Sequence, residues 1–126
     1  MESNAEPIFG HGKICYLMIP AVDIDMSVSF YKEVFGWRIR EDDAGNISFD
    51  DGVGQVSGTW VTNRNPMSRE LGILISIMVD DAQATVQSII THGGSMVKEI
   101  GAEAPEITAN FIDPAGNMLG IYQHRS

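Results

Sequence analysis

The 126-residue chain has a single cysteine, Cys15, so it can form no internal disulfide, and no Cys/His cluster of the structural-zinc kind accompanies it. It is also short of basic residues: 8 Lys and Arg stand against 17 Asp and Glu, a formal charge of −9. A surface that acidic repels phosphate backbones and anionic lipid, so neither a nucleic-acid nor a membrane partner is expected. No apolar run approaches the roughly 20 residues that span a bilayer. The polar start, MESNAEPIFGHGK, has no apolar signal core, which makes a cytoplasmic location the expectation. Charged residues make up only 20% and form no block, while hydrophobic residues reach 44%, enough for a packed core. The length suits one domain.

What is present is a pattern. Residues 1–12 read as a flexible tail broken by Pro7, Gly10 and Gly12. Ile14 to Ile19 is a strand-length apolar run. Asp23 and Asp25 offer N-caps to a helix with a buried stripe of Ile24, Val28, Tyr31 and Val34 or Phe35, which Gly36 stops. Strands are predicted over 37–40, 47–49 and 55–61, separated by turn residues around Asp42-Asp43-Ala44-Gly45-Asn46 and Asp51-Gly52. A polar linker covers 62–70. The programme then restarts. A strand spans 73–79, and Asp80 or Asp81 caps a helix with stripe Ala82, Val86, Ile89 and Ile90. His92-Gly93-Gly94 closes that helix. Strands follow at 95–100, 107–111 and 118–123, the last two joined by Asp113-Pro114-Ala115-Gly116-Asn117. The reading is β-α-β-β-β twice, an α+β fold with modules at 13–61 and 71–123 in one domain, 13–126.

The two halves align. Asp23 and Asp81 are 58 positions apart, as are Gly36 and Gly94, Leu17 and Ile75, and Val28 and Val86. Later the offset is 62, matching Phe49 to Phe111, Asp51 to Asp113, Gly54 to Gly116, Gly58 to Gly120 and Trp60 to Tyr122. The four extra residues are expected in the loop near Gly101 to Pro105. Two copies of about 60 residues are too few and too long for a solenoid.

The stretch ICYLMIPAVDIDMSVSFYKEVFGWRI, with the closing FIDPAGNMLGIYQ, resembles the vicinal oxygen chelate superfamily. That group contains glyoxalase I, bleomycin-resistance proteins and extradiol dioxygenases. The resemblance implies a glyoxalase-like fold, in which two βαβββ modules form a curved mixed sheet around a cavity, with helices outside. It also implies a possible homodimer. Metal-using members carry ligands at four strand positions, which fall here on Tyr16, Gly58, Leu74 and Gly120. A divalent ion needs several converging lone pairs at about 2.0–2.2 Å. Two glycines and a leucine bring none, and one phenol does not suffice, so no metal and no cofactor are expected.

If position 16 faces the cavity, alternation along strands adds Ile14 and Met18; Val56, Gly58 and Trp60; Leu74, Ser76 and Met78; and Met118, Gly120 and Tyr122. The expected ligand-binding set is Tyr16, Met18, Trp60, Ser76, Met78, Met118 and Tyr122, around space widened by the two glycines. Apolar linings with a few placed polar groups suit small organic molecules, and the alternative for the same side chains is plain core packing. Cys15 alternates away from Tyr16 and is expected under a helix. His92 is assigned to a helix C-terminus, where it complements the dipole. His11 and His124 flank the first and last strands and read as a surface pair. Gly93-Gly94 lacks the setting of a phosphate loop.

The favoured function is a glyoxalase/bleomycin-resistance-like protein that binds a small apolar or aromatic molecule without metal. The alternative is a metal-dependent lyase or isomerase of the lactoylglutathione lyase type, which needs a Lewis acid and a carboxylate base. Catalysis through Tyr16 or Tyr122 alone is disfavoured, because a phenol with a pKa of about 10 is a poor base at neutral pH. An interaction module in a larger assembly is the fourth reading. Whether the chain is an enzyme is not fixed by its sequence.

Overall fold

The computed structural model describes residues 6–67 and 72–124; parts of the expected tail (1–5) and linker (68–70), together with Leu71, lie outside the described residues. The elements are β1 (Tyr16–Pro20), α1 (Ile24–Phe35), β2 (Arg38–Glu41), β3 (Ile47–Asp50), β4 (Ser57–Val61), β5 (Ser76–Val79), α2 (Ala82–Thr91), β6 (Ser95–Lys98), β7 (Ile107–Ile112) and β8 (Met118–Gln123). The chain divides into two compact units, Met1–Arg64 and Asn65–Ser126. Each unit is one βαβββ module with a four-stranded mixed sheet, in the orders β1-β4-β3-β2 and β5-β8-β7-β6. In both, the first strand runs parallel to the last and the other pairs are antiparallel.

The caps explain where the helices begin and end. Asp23 and Asp81 have extended backbones, and their carboxylates accept from the N–H of Met26 (3.3 Å) and Ala84 (3.0 Å). Gly36, at φ +69°, closes α1 with its N–H on the Lys32 carbonyl, 3.0 Å away. At α2 the repeat pointed to Gly94, but the left-handed residue is Gly93, at φ +101°. Gly93 donates to Ile90 O (3.3 Å) and Gly94 to Ile89 O (2.8 Å), the paired bonds of a Schellman ending. His92 is the cap itself, its Nδ1 2.8 Å from Ser88 O; a carbonyl only accepts, so Nδ1 carries the proton.

The first core is aromatic. Phe49, Trp37 and Tyr31 stack in series, with centroids 4.5 and 4.6 Å apart, and Trp60 lies 4.8 Å from Phe49 and 5.9 Å from Tyr31. Each such pair contributes roughly 0.5–1.5 kcal/mol beyond its buried area. From α1, the fully buried residues are Ser27, Phe30 and Tyr31: Tyr31 lies on the predicted stripe, while Ser27 and Phe30 are buried in place of Ile24 and Val28, which are half-buried. The second core is mostly aliphatic: Ile89 from α2 with Ala109, Phe111, Leu119 and Ile121. Ile90, expected inside, is 53% exposed. Cys15 is also exposed, not packed under a helix, because it precedes the first paired residue of β1.

The units differ in one detail that decides what faces where. Asp113 closes its turn with Asp113 N–H on Asn117 O, while its carboxylate accepts from the N–H of Ala115 and Asn117 and from Asn117 Nδ2, all at 2.9 Å. The same Asp-x-Ala-Gly-Asn turn recurs at 42–46, with the same bonds about Asp42. At the aligned position 51–56, however, the closing bond runs from Asp51 N–H to Val56 O, one residue farther along. That residue shifts β4 by one against β3. Phe49 therefore faces Gly58, whereas its counterpart Phe111 faces Leu119 and not Gly120. Since strand side chains alternate, a one-residue shift exchanges the two faces.

Candidate functional site

Each sheet has one face under its own helix and one face free of it. In the first unit, the helix side is marked by the Trp60–Tyr31 ring contact. The register pairs Trp60 with Ile19 and Gly58 with Leu17, so both lie on that side. Trp60 is 4% exposed, which removes it from the expected ligand-facing set. Nor does Gly58 widen a cavity there: a Cβ at this position would collide with the Leu17 carbonyl oxygen and the Phe49 ring. The residues that share a face with Tyr16 and Met18 are Ser57 and Thr59.

The helix-free face of the first sheet reads in rows. Tyr16 lies opposite Ser57, Ser57 opposite Asp50, and Asp50 opposite Arg38. The next row holds Met18 with Thr59, and Ser48 with Arg40. Tyr16 and Met18 are 49% and 54% exposed. The face thus grades from a phenol and a thioether at the β1 edge, through hydroxyls, to guanidiniums at the β2 edge. Asp50 is held firmly: Arg40 donates Nε to Oδ2 (3.0 Å) and Nη2 to Oδ1 (2.9 Å), and Ser57 Oγ donates to Oδ1 (2.7 Å). Burial pushes the Asp50 carboxyl up, but the hydrogen bonds from Ser57 and Arg40, with the charges of Arg40 and Arg38, outweigh it and hold the group below its ordinary value. A carboxyl lowered in the folded state stabilises above its unfolded pKa of about 3.9, and that contribution is lost as pH falls through the lower folded value. Asp50→Asn is therefore expected to flatten the loss of stability below about pH 4 in thermal melts across pH, relative to the parent chain.

In the second unit, Ala82 N–H donates to Gln123 Oε1 (2.7 Å), which puts Gln123 and its alternates on the helix side. The helix-free rows are then Ser76, Gly120 and Asn110; Met78, Tyr122 and Thr108; and Met118, Ile112 and Ser95. The sheet thus brings Ser76, Met78, Met118 and Tyr122 to one face. Met78 is 70% exposed, while Met118 and Tyr122 are half-buried. Asn110 is buried, and a Cβ at Gly120 would sit 2.8 Å from Ser76 Oγ and 3.2 Å from Asn110 Oδ1. The space over Gly120 is filled by a hydroxyl and a carboxamide. Asn110, Asp50, Arg38 and Arg40 were missed in the sequence; the signal was present as two-residue alternation in Arg38-Ile39-Arg40 and Ser48-Phe49-Asp50.

The four positions that the resemblance offers to a metal do not fit one. Gly58 points into the helix-side core, and the nearest face residue, Thr59, donates its hydroxyl to Ile47 O (2.6 Å). Gly120 and Leu74 have no donor side chain. Among the described residues no three His, Cys, Asp or Glu gather as a possible metal site, and no helix is long and apolar enough to cross a membrane.

Comparison with known proteins agrees with this architecture. The profile of the Glyoxalase/Bleomycin resistance protein/Dioxygenase superfamily matches residues 13–121. A glyoxylase-like domain-containing protein of Didymella fabae is 26% identical, over 88% of this chain and 93% of its own. A probable lactoylglutathione lyase of Vibrio parahaemolyticus is also 26% identical, over 91% and 93%. The crystal structure of a glyoxalase/bleomycin resistance protein/dioxygenase family enzyme from Burkholderia phytofirmans superposes with a TM-score of 0.70 at 19% identity, covering 89% of this chain and 98% of that one.

Proposed function

Since the chain belongs to the glyoxalase/bleomycin resistance protein/dioxygenase superfamily, we propose that it binds a small organic molecule with an apolar or aromatic part on the helix-free face of a sheet, without a metal ion. The supporting observation is the composition of the helix-free faces. Tyr16, Met18, Met78, Met118 and Tyr122 recur on them at strand spacing, exposed or half-buried, beside Ser57, Thr59, Ser76 and Asn110. Exposed apolar side chains grouped on one face mark a binding surface, and thioethers adapt to the shape of what they touch. The fold alone does not decide the chemistry; the site does.

The Vibrio relative's name raises a lyase reading. Stabilising an enediolate requires a Lewis acid and a carboxylate base. Among the described strand residues, the helix-free faces offer one carboxylate, Asp50, which Arg40 and Ser57 already occupy. The binding reading fits the residues better. The proposal includes a homodimer and excludes nucleic-acid and membrane partners, in keeping with the charge of −9.

A screen of small aromatic compounds, followed by methionine-methyl NMR, tests it. Compounds that bind are expected to shift Met18, Met78 or Met118 and leave Met26, exposed on α1, unmoved. Met78→Ala, at an exposed position, is expected to leave the melting temperature within about 2 °C while weakening such compounds. A screen in which no compound moves these methyls would contradict the proposal.

A further inference from the structure

We propose that the helix-free face of the second sheet selects uncharged ligands that carry an amide, held by Ser76 and Asn110 over Gly120, with a flat body against Met78 and Tyr122. This rests on the binding reading above and names its ligand class. Ser76 on β5 and Asn110 on β7 both lie directly beside Gly120 of β8. Strands two apart stand roughly 10 Å from each other, so short side chains do not meet across an ordinary residue. Gly120 removes the obstacle. A Cβ there would lie 2.8 Å from Ser76 Oγ and 3.2 Å from Asn110 Oδ1. The two oxygens therefore lean in over its backbone and stand at most about 6 Å apart, a gap that one ligand group bridges with two hydrogen bonds. Asn110 is 7% exposed, which fixes its carboxamide, whereas Ser76 is exposed and its hydroxyl can donate or accept.

The rest of the face sets the body and the charge of the ligand. The next row holds Met78, Tyr122 and Thr108, with the thioether exposed and the phenol half-buried. A thioether beside a phenol ring accepts a flat ring edge-on or stacked. Among the described strand residues of this face, the one charged side chain is Lys98, at the β6 edge opposite Asn110. Its Nζ lies 3.4 Å from Glu103 Oε2, which offsets the charge. An ionised group laid on such a face loses water without gaining an opposite charge. A chain of charge −9 also repels anions from a distance. A neutral amide escapes both penalties, and it offers a donor and an acceptor at once, the complement of a hydroxyl beside a carboxamide.

Benzamide, its isosteric anion benzoate, its isosteric cation benzamidine, and N,N-dimethylbenzamide, which keeps the carbonyl but has no N–H, separate the contributions. Affinities are read by NMR titration. The Met78 methyl and the Asn110 side-chain amide report location, and Met18 of the first sheet is the control. Benzamide is expected to bind roughly tenfold tighter than each of the other three. Ser76→Ala, at an exposed position, is expected to remove most of the margin over N,N-dimethylbenzamide and to leave the melting temperature unchanged. Gly120→Ala, whose methyl parts the two oxygens, is expected to remove the same margin. Equal binding of benzamide and either ion, a margin indifferent to both substitutions, or benzamide shifts confined to Met18 would overturn the amide assignment and leave the binding reading intact. Silence of every methionine methyl to the four probes and to the wider aromatic screen would overturn both.

Discussion

Gly58→Ala is expected to lower the melting temperature by on the order of 10 °C, and Gly120→Ala by no more than about a third of that. In sequence the two glycines are equivalent, each in the last strand of its module. In the structure they face opposite ways. A methyl at Gly58 would enter between the Leu17 carbonyl and the Phe49 ring, and both are fixed. Phe49 is fully buried and stacked on Trp37, so it cannot yield without opening the aromatic series. Overpacking of that kind costs roughly 1–3 kcal/mol, and more when backbone must move. A methyl at Gly120 meets Ser76 Oγ and Asn110 Oδ1, two side-chain ends that can rotate. Adding Phe49→Leu to Gly58→Ala is expected to recover part of the loss, since substitutions that share a partner do not add. Equal melting temperatures for the two single variants would show that the one-residue shift of β4 is wrong.

The second large effect is expected at Asp113. Asp113→Ala removes an acceptor for the Ala115 and Asn117 N–H groups and for Asn117 Nδ2. Asp113, Ala115 and Asn117 are all buried, so water cannot replace the lost acceptor cheaply. Each buried unsatisfied donor costs about 1–3 kcal/mol, so three lost bonds cost at least about 3 kcal/mol, a large part of the 5–15 kcal/mol typical of a whole domain. Asp42 makes the same bonds in the same turn, but in solvent. Its carboxyl is lowered chiefly by the Asn46 side chain and backbone, yet Asp42→Ala leaves donors that water can satisfy. Urea denaturation of both variants is expected to show a midpoint loss at position 113 several times that at 42. Similar losses would mean that burial is not what makes the Asp113 turn important.

These pairs show what the sequence could and could not convey. Features set by nearest neighbours were legible: both aspartate caps, the glycine stop of α1, the turns at 42–46 and 113–117, and β8, which spans 118–123 as read. The ends of apolar runs were not. Ile14 and Ile73 continue the strand pattern but lie outside the strands, 74% and 90% exposed, because no neighbouring strand extends far enough to pair with them. The face of β4 was the costliest misreading. Counting by two from Val56 assumed that both modules turn alike, whereas the turn at 51–56 closes one residue later than the turn at 113–117. Trp60 and Gly58 moved to the core as a result. Ser57 and Thr59 moved outward, and the polar half of the face, ending in Asp50, Arg38 and Arg40, came into view only with the register.

The proposal on which the account turns is that this member of the superfamily grips an organic ligand and not a divalent cation, because Gly58 faces the core, the space over Gly120 is filled by Ser76 and Asn110, and Leu74 has no donor side chain. Elemental analysis of the untagged chain, loaded with Ni²⁺, Zn²⁺, Fe²⁺ or Mn²⁺ and then gel-filtered, tests it most directly. Retention below about one ion per ten chains is expected for every metal, since a stable site needs three or four converging donors. One ion retained per chain, with affinity lost on Tyr16→Phe, would contradict it.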